Sequence, residues 1–287
     1  EDRFWQPRLQ KNKETTLQIE EEQLAETGRF EAWKLAWKPG DPHKPHKFWD
    51  SDVAKWLEAV AYTLEKTPNE ELEASADKLI DDIAAAQQPD GYLNTCFTVV
   101  APEKRWTNLR DDHELYCAGH LMEAAVAYWQ ATGKRKLLDV LERYTEHIAE
   151  RFGPEEGKIK GYPGHEEIEL ALVRLYRATG KQQYLDLAKF FVDQRGQEPN
   201  FFIQEAEARG EDPDKTTTPY LEYWQAHAPV REQETAEGHA VRAIYLYCGM
   251  ADIATETGDK RLLQACRNLF DNITNRRMYL TGGVGSA

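Results

Sequence analysis

Three histidines each stand beside turn-forming or acidic residues at the head of a helical pattern: DDHELYCAGH at 111–120, GYPGHEEIEL at 161–170 and TAEGHAVRAI at 235–244. An imidazole titrates near neutrality and can donate or accept a hydrogen bond, so His113, His165 and His239 could hold hydroxyl groups, move a proton or ligate a metal. Metal ligation has the weakest support. HELYC (113–117) is HExxH with cysteine in place of the second histidine, whereas the motif needs two imidazoles one helical turn apart. His120 lies two turns beyond His113 and is expected to pack between helices.

Other residues suit a sugar. Pro89-Asp90-Gly91 is a turn signature, expected to throw Tyr92 onto the rim of a site. Phe48-Trp49 precedes a helix that Asp50 or Asp52 would cap, and Tyr223, Trp224, Gln225 and His227 come shortly before His239. Aromatic faces for C–H surfaces, with amides and imidazoles for hydroxyls, make a carbohydrate site, and inter-helix packing is the plainer alternative for each aromatic. Glycoside hydrolysis usually takes two carboxylates across one site. Asp90, Asp111, Asp112, Glu114, Glu166, Glu167 and Glu237 all fall near helix starts, where acids also complement the helix dipole, so no catalytic pair stands out.

The elements that must position these groups are helical. Trp56, Val60 and Leu64, then Leu72, Ala76, Leu79, Ile80 and Ile83, recur at spacings of three and four, and no alternating strand pattern competes. Segments 124–144, 170–191 and 246–270 share one layout: an apolar helix, a Thr-Gly stop, a basic turn and a second amphipathic helix. Gly133, Gly180 and Gly258 fall where a helix end wants positive φ, and 61–80 repeats the layout with Thr67-Pro68 at the stop. Stacked helical hairpins make a solenoid or a closed ring. Long connections at 87–112, 152–164 and around 197–237 all enter the first helix of a hairpin, which favours a ring with one loop-rich mouth where the three imidazoles converge. Asp111 or Asp112 would cap the first of these helices, with His113 in its first turn.

Composition narrows the function. The chain has 287 residues and a formal net charge of −14 with acids and bases interspersed, so a nucleic-acid partner is not expected. No apolar run approaches a membrane span, and EDRFWQPRLQ lacks the order of a secretion signal, so the expectation is a cytoplasmic protein without a membrane partner. Cys96, Cys117, Cys248 and Cys266 are widely spaced without a CxxC pair, and buried reduced thiols are expected for all four.

DSDVAKWLEA, AQQPDGYLNT, HELYCAGHLMEAAVAYWQATG, FGPEEGKIKGYPGHEEIELALVRLY, PVREQETAEGHAVRAIYLY and RRMYLTGGVGS resemble, in order, the glycoside hydrolase family 127 β-L-arabinofuranosidases. The resemblance implies an all-α fold, an (α/α)6 barrel of helical hairpins that is incomplete in this chain, residues 1–287 being the N-terminal part and the rest of the barrel and the β-sandwich domains lying beyond it. It implies a retaining, exo-acting hydrolase that removes terminal β-linked L-arabinofuranose from oligosaccharides or glycoproteins, with the family's substrate-binding histidines on His113, His165 and His239. The family's nucleophile is a zinc-bound cysteine and its acid/base a glutamate. Zinc is therefore expected in the full-length enzyme and not on this chain, because none of its four cysteines matches those positions. With those groups missing, the chain alone is expected to be inactive and to associate with copies of itself through uncovered helix faces. Ala54, and Glu31-Ala32, depart from the family pattern near the substrate. The alternatives are a sugar epimerase or isomerase on a helical barrel, with His165 and His239 as proton-transfer groups, and a non-catalytic carbohydrate-binding fragment.

Overall fold

In a computed structural model, residues 2–285 are described; Ser286, the end of the TGGVGS motif, and Ala287 lie outside the described residues. All regular elements among them are helices, with only two isolated β-bridges. The chain separates into two compact units, one comprising Glu1–Arg105 and His120–His147, the other Trp106–Gly119 and Ile148–Ala287.

The first unit opens with helices α1 (Trp5–Lys11) and α2 (Leu17–Glu26), joined by a π-helical segment, and a short α3 (Arg29–Ala32). Next come α4 (Trp49–Lys66), α5 (Glu70–Ala86) and the single turn α6 (Cys96–Val99). Val53, Trp56, Leu57, Val60 and Leu64 line the buried face of α4, the spacing that makes one stripe of a helix apolar. Trp56 donates its indole N–H to the Leu17 carbonyl at 3.0 Å, which ties α4 to α2. Asn69 caps α5 by accepting the Leu72 N–H at 3.2 Å. Neither Asp50 nor Asp52 caps α4, which has Phe48 at its N-cap. Asp50 is buried and accepts the Thr95 N–H at 2.9 Å and its hydroxyl at 2.6 Å, while Asp52 pairs with Arg29 at 2.8 Å.

Helices α7 (Glu114–Thr132) and α8 (Lys136–Arg151) have residues in both units. Gly133 follows α7 at φ 76°, and the same left-handed glycine ends the first helix of two further hairpins in the second unit. These are α9 (Ile168–Thr179) with α10 (Gln182–Gln194), turning at Gly180, and α13 (Ala240–Thr257) with α14 (Lys260–Asn272), turning at Gly258. The connection around 197–237 is less irregular than its composition implies: it contains α11 (Phe201–Ala208), α12 (Pro213–Thr216) and two 3-10 turns.

Helix α9 is the middle of the second unit, packed against both α10 and α13. Two glycines permit the close approach of its neighbours. A Cβ on Gly119 of α7 would lie 2.7 Å from Glu167 Cγ and 2.8 Å from the Ile168 nitrogen, and one on Gly249 of α13 would lie 3.0 Å from Glu169 Cβ. Both sites thus keep helix α9 in near backbone contact with its neighbours.

Candidate functional site

His113 and His239 are the residues immediately before α7 and α13, and His165 lies three residues before α9. Each helix start is fixed by a different device. The Cys117 N–H bonds the His113 carbonyl at 2.9 Å, and Asp111, expected as a cap, is instead held by Arg110 at 2.6 Å. Arg110 also reaches Glu211 at 3.0 Å, and buried Glu205 accepts the backbone N–H groups of Leu109 and Arg110 at 2.6 and 3.3 Å. His165 follows Gly164, whose N–H bonds the Leu109 carbonyl at 2.8 Å and whose added Cβ would sit 1.9 Å from the Arg110 carbonyl oxygen. His239 is itself the cap of α13, its Nδ1 accepting the Arg242 N–H at 3.4 Å.

The result is a row of imidazoles within the second unit. Ring centroids are 5.7 Å apart between His113 and His165 and 5.7 Å apart between His165 and His239. Tyr116 lies tilted at 48° with its ring 4.3 Å from His165, Tyr245 stands 6.0 Å from the same ring, and Tyr223 meets His239 edge-on at 5.7 Å.

Backbone partners dictate the protons. The Nδ1 of His113 lies 2.8 Å from the Asp111 carbonyl oxygen and that of His165 lies 2.9 Å from the Glu166 carbonyl oxygen. A carbonyl only accepts, so both rings carry hydrogen on Nδ1 and, when neutral, a lone pair on Nε2. His239 is the reverse, because its Nδ1 accepts an N–H and its proton sits on Nε2. Burial, and then the nearby Arg242 charge, lower the His239 pKa, so this ring stays neutral at and somewhat below the pH where a free imidazole titrates. Two acceptors and one donor in a row suit a polyhydroxylated ligand.

Next to the row sits a buried charge cluster of which sequence reading names only Glu166, as one of several acids near helix starts. Glu166, Glu169 and Arg195 have no exposed surface, and Arg242 is also buried. Burial pushes the Glu166 carboxyl up to about 8, against the opposing pull of Arg195, with Glu169 adding to the rise. Tyr116 and Tyr245 were missed as well. Tyr116 lies three residues after His113, a spacing that puts both on one helix face, and this was the available signal.

Two residues expected at the site do other work. Tyr92 is wholly buried in the first unit, edge-on to Tyr144 at 5.8 Å and His147 at 5.6 Å, with the Arg105 guanidinium 4.0 Å over its ring. The turn drives it inward: Gly91, at φ 89°, would place a Cβ 2.9 Å from the Arg143 carbonyl, so the backbone presses on α8 and the next side chain enters the core. Gln225 is likewise buried, and its amide donates to the Glu237 carbonyl at 2.7 Å, which makes it a brace for the loop before His239. Trp224 is buried, whereas Tyr223 remains exposed beside His239. His120 is buried, as expected. Cys96 and Cys117 are buried too, but Cys248 is exposed, sharing a face of α13 with exposed Val241 and Ile244, and Cys266 is only part-buried.

A zinc ion finds no fit here: among the described residues no three His, Cys, Asp or Glu side chains gather as a ligand set.

The whole chain, residues 1–287, matches the family model described as β-L-arabinofuranosidase, GH127 catalytic domain. It is 44% identical over 245 residues to a non-reducing end β-L-arabinofuranosidase of Bifidobacterium longum subsp. longum, covering 83% of this chain and 37% of that protein. A crystal structure of a GH127 β-L-arabinofuranosidase from Geobacillus stearothermophilus T6 superposes with a TM-score of 0.96 at 50% identity, covering 100% of this chain and 46% of the other. A further GH127 β-arabinofuranosidase structure gives 0.88 at 39% identity, over 99% and 44% of the two chains. The chain thus spans less than half the length of these relatives. Over the matched span the all-helical fold is common to it and to them.

Proposed function

The chain belongs to glycoside hydrolase family 127, the β-L-arabinofuranosidases, and on that premise we propose that it carries the sugar-binding wall of an exo-acting, retaining hydrolase that releases terminal β-linked L-arabinofuranose from oligosaccharides or glycoproteins. The observation that carries this reading is the row of His113, His165 and His239, spaced at 5.7 Å with two Nε2 acceptors and one Nε2 donor. A terminal furanose offers hydroxyls as both donors and acceptors, and its C–H face suits the rings of Tyr116, Tyr223 and Tyr245. Burial and the Arg242 charge keep the His239 ring neutral, so it binds and orients the sugar without protonating the glycosidic oxygen. Tyr92 and Gln225 support the surrounding chain and do not touch the sugar.

When bound, zinc would hold the family's cysteine nucleophile in its deprotonated thiolate form. Among the described residues no such centre is assembled. Family membership favours glycoside cleavage over epimerisation of a free sugar.

Two further parts of the reading rest on composition and surface. A cytoplasmic location is supported by four cysteines without a paired pattern; no helix among the described residues is long and apolar enough to cross a membrane. Self-association is supported by exposed Val241 and Ile244 on α13 and Leu263 and Phe270 on α14.

Titrating the chain with methyl β-L-arabinofuranoside by isothermal calorimetry tests the central reading. Saturable one-to-one binding that the α-anomer does not reproduce is the expected result. Equal affinity for both anomers, or none for either, would overturn it.

A further inference from the structure

Arg195 is a long cationic side chain with no exposed surface at the end of α10, a location that is tolerated only when its donors meet acceptors. Its Nη2 donates to the Pro163 carbonyl at 2.7 Å and to Glu169 Oε1 at 3.2 Å. Its Nη1 donates to the Trp224 carbonyl at 2.8 Å and stands 2.9 Å from Glu166 Oε1, and the guanidinium lies 4.7 Å over the Tyr162 ring. The neighbouring Gly196, at φ 72°, holds the backbone against Ala228, whose carbonyl oxygen would be 2.1 Å from an added Cβ.

Its two carbonyl partners belong to the two loops that deliver histidines. Pro163 stands two residues before His165, and Glu166 directly after it supplies the carbonyl that holds the His165 Nδ1 proton. Trp224 lies between Tyr223 and Gln225. Tyr223 packs on the His239 ring and takes the His239 N–H on its carbonyl at 3.4 Å, and Gln225 braces Glu237, two residues before His239. One planar fork therefore joins both loops, and its rigidity matters because a lysine could satisfy the charge but not both carbonyls in fixed directions.

We propose that Arg195, with Glu169 as its counter-charge and Glu166 beside it, is a positioning residue that sets the spacing of His165 and His239 and holds His165 in the Nδ1–H form, and so governs recognition of the furanose. The proposal rests on the sugar-binding reading above but is tested apart from it.

The test uses the 287-residue chain and two variants, Arg195→Lys and Glu169→Gln. Each is checked for fold by circular dichroism and then read, without sugar, by long-range 1H–15N spectra of the imidazoles, which distinguish the two neutral forms. Folded variants in which the His165 and His239 nitrogen pattern departs from wild type, with affinity for methyl β-L-arabinofuranoside down by about tenfold or more, are the expected result. Folded variants with unchanged patterns overturn the proposal. If Arg195→Lys fails to fold, Glu169→Gln decides by the same reading, and failure of both to fold also overturns it, since the cluster is then a core strut. A wild-type chain that binds no arabinofuranoside sinks the functional reading alone, because the sugar-free spectra still judge Arg195.

Discussion

The imidazole rings of His165 and His239 lie 5.7 Å apart and carry their protons on opposite nitrogens. A hydroxyl facing His165 meets a lone pair and one facing His239 meets an N–H, so the pair can address neighbouring hydroxyls in opposite hydrogen-bonding senses.

Replacing His239 separates binding from stability. His239→Asn keeps a good helix cap and removes the imidazole, whereas His239→Ala removes both and should cost about 1 kcal/mol of stability. Both variants should lose about tenfold or more in arabinofuranoside affinity, since a sugar hydroxyl is left without its partner. In the intact enzyme kcat/KM should fall in parallel. Unchanged kinetics in His239→Asn would remove the ring from the substrate contact.

Glu166 should make stability fall with rising pH. Its folded pKa, about 8, is raised by burial above the ordinary 4.5, so between these values the folded chain keeps a proton that the unfolded chain releases. The contribution of Glu166 therefore declines by up to about 1.4 kcal/mol per pH unit in that window. Chemical denaturation at pH 5 and pH 8 should show Glu166→Gln less sensitive to pH than wild type. Equal sensitivity would count against the buried acid.

Glu211 should act in the opposite sense. Hydrogen bonding to Arg209, together with the Arg110 charge, holds its carboxyl down to about 2, so its stabilising contribution is present above 4.5 and is lost as pH falls from there to about 2. Glu211→Gln should lose stability at pH 6 and converge on wild type near pH 2 in thermal melts.

The helix-crossing glycines should be sensitive to a single methyl group. Gly119→Ala puts a Cβ against the Glu167 side chain and the Ile168 backbone and should cost about 1–3 kcal/mol. Gly133→Ala meets nothing within 4 Å and should cost about 1–2 kcal/mol from its positive φ alone. Urea titration of Gly119→Ala carried out with and without sugar should also show weaker binding, and an unaltered affinity would uncouple that crossing from the histidines.

Tyr92 gives a test of the corrected placement. Tyr92→Phe should leave sugar affinity unchanged, and Tyr92→Ala should cost about 3–5 kcal/mol of stability as a buried aromatic is deleted. A specific loss of sugar affinity in the phenylalanine variant would return Tyr92 to the site.

Much of this arrangement was legible because it is local or repeated. The Thr-Gly stops at Gly133, Gly180 and Gly258 are visible because a positive φ at a helix end favours glycine. The histidines stood out because they recur at the same point of a repeat. What stayed hidden depends on distant backbone. Arg195 precedes a glycine at a helix end, where a charged side chain would ordinarily be solvated, and its burial depends on partners distant in sequence such as the Pro163 and Trp224 carbonyls. Tyr92 follows a surface-type turn, and the Arg143 carbonyl pressing on Gly91 turns it inward.

The glycine contacts on either side of α9 set the scale of the site in the main chain. With no side chain between α9 and its neighbours at Gly119 and Gly249, the gap between the histidine-bearing ends follows from how near the polypeptide backbones can come. A search for variants that take a six-membered ring should therefore begin at these two interior positions, where one added carbon pushes helices apart, and not among the residues that touch the ligand.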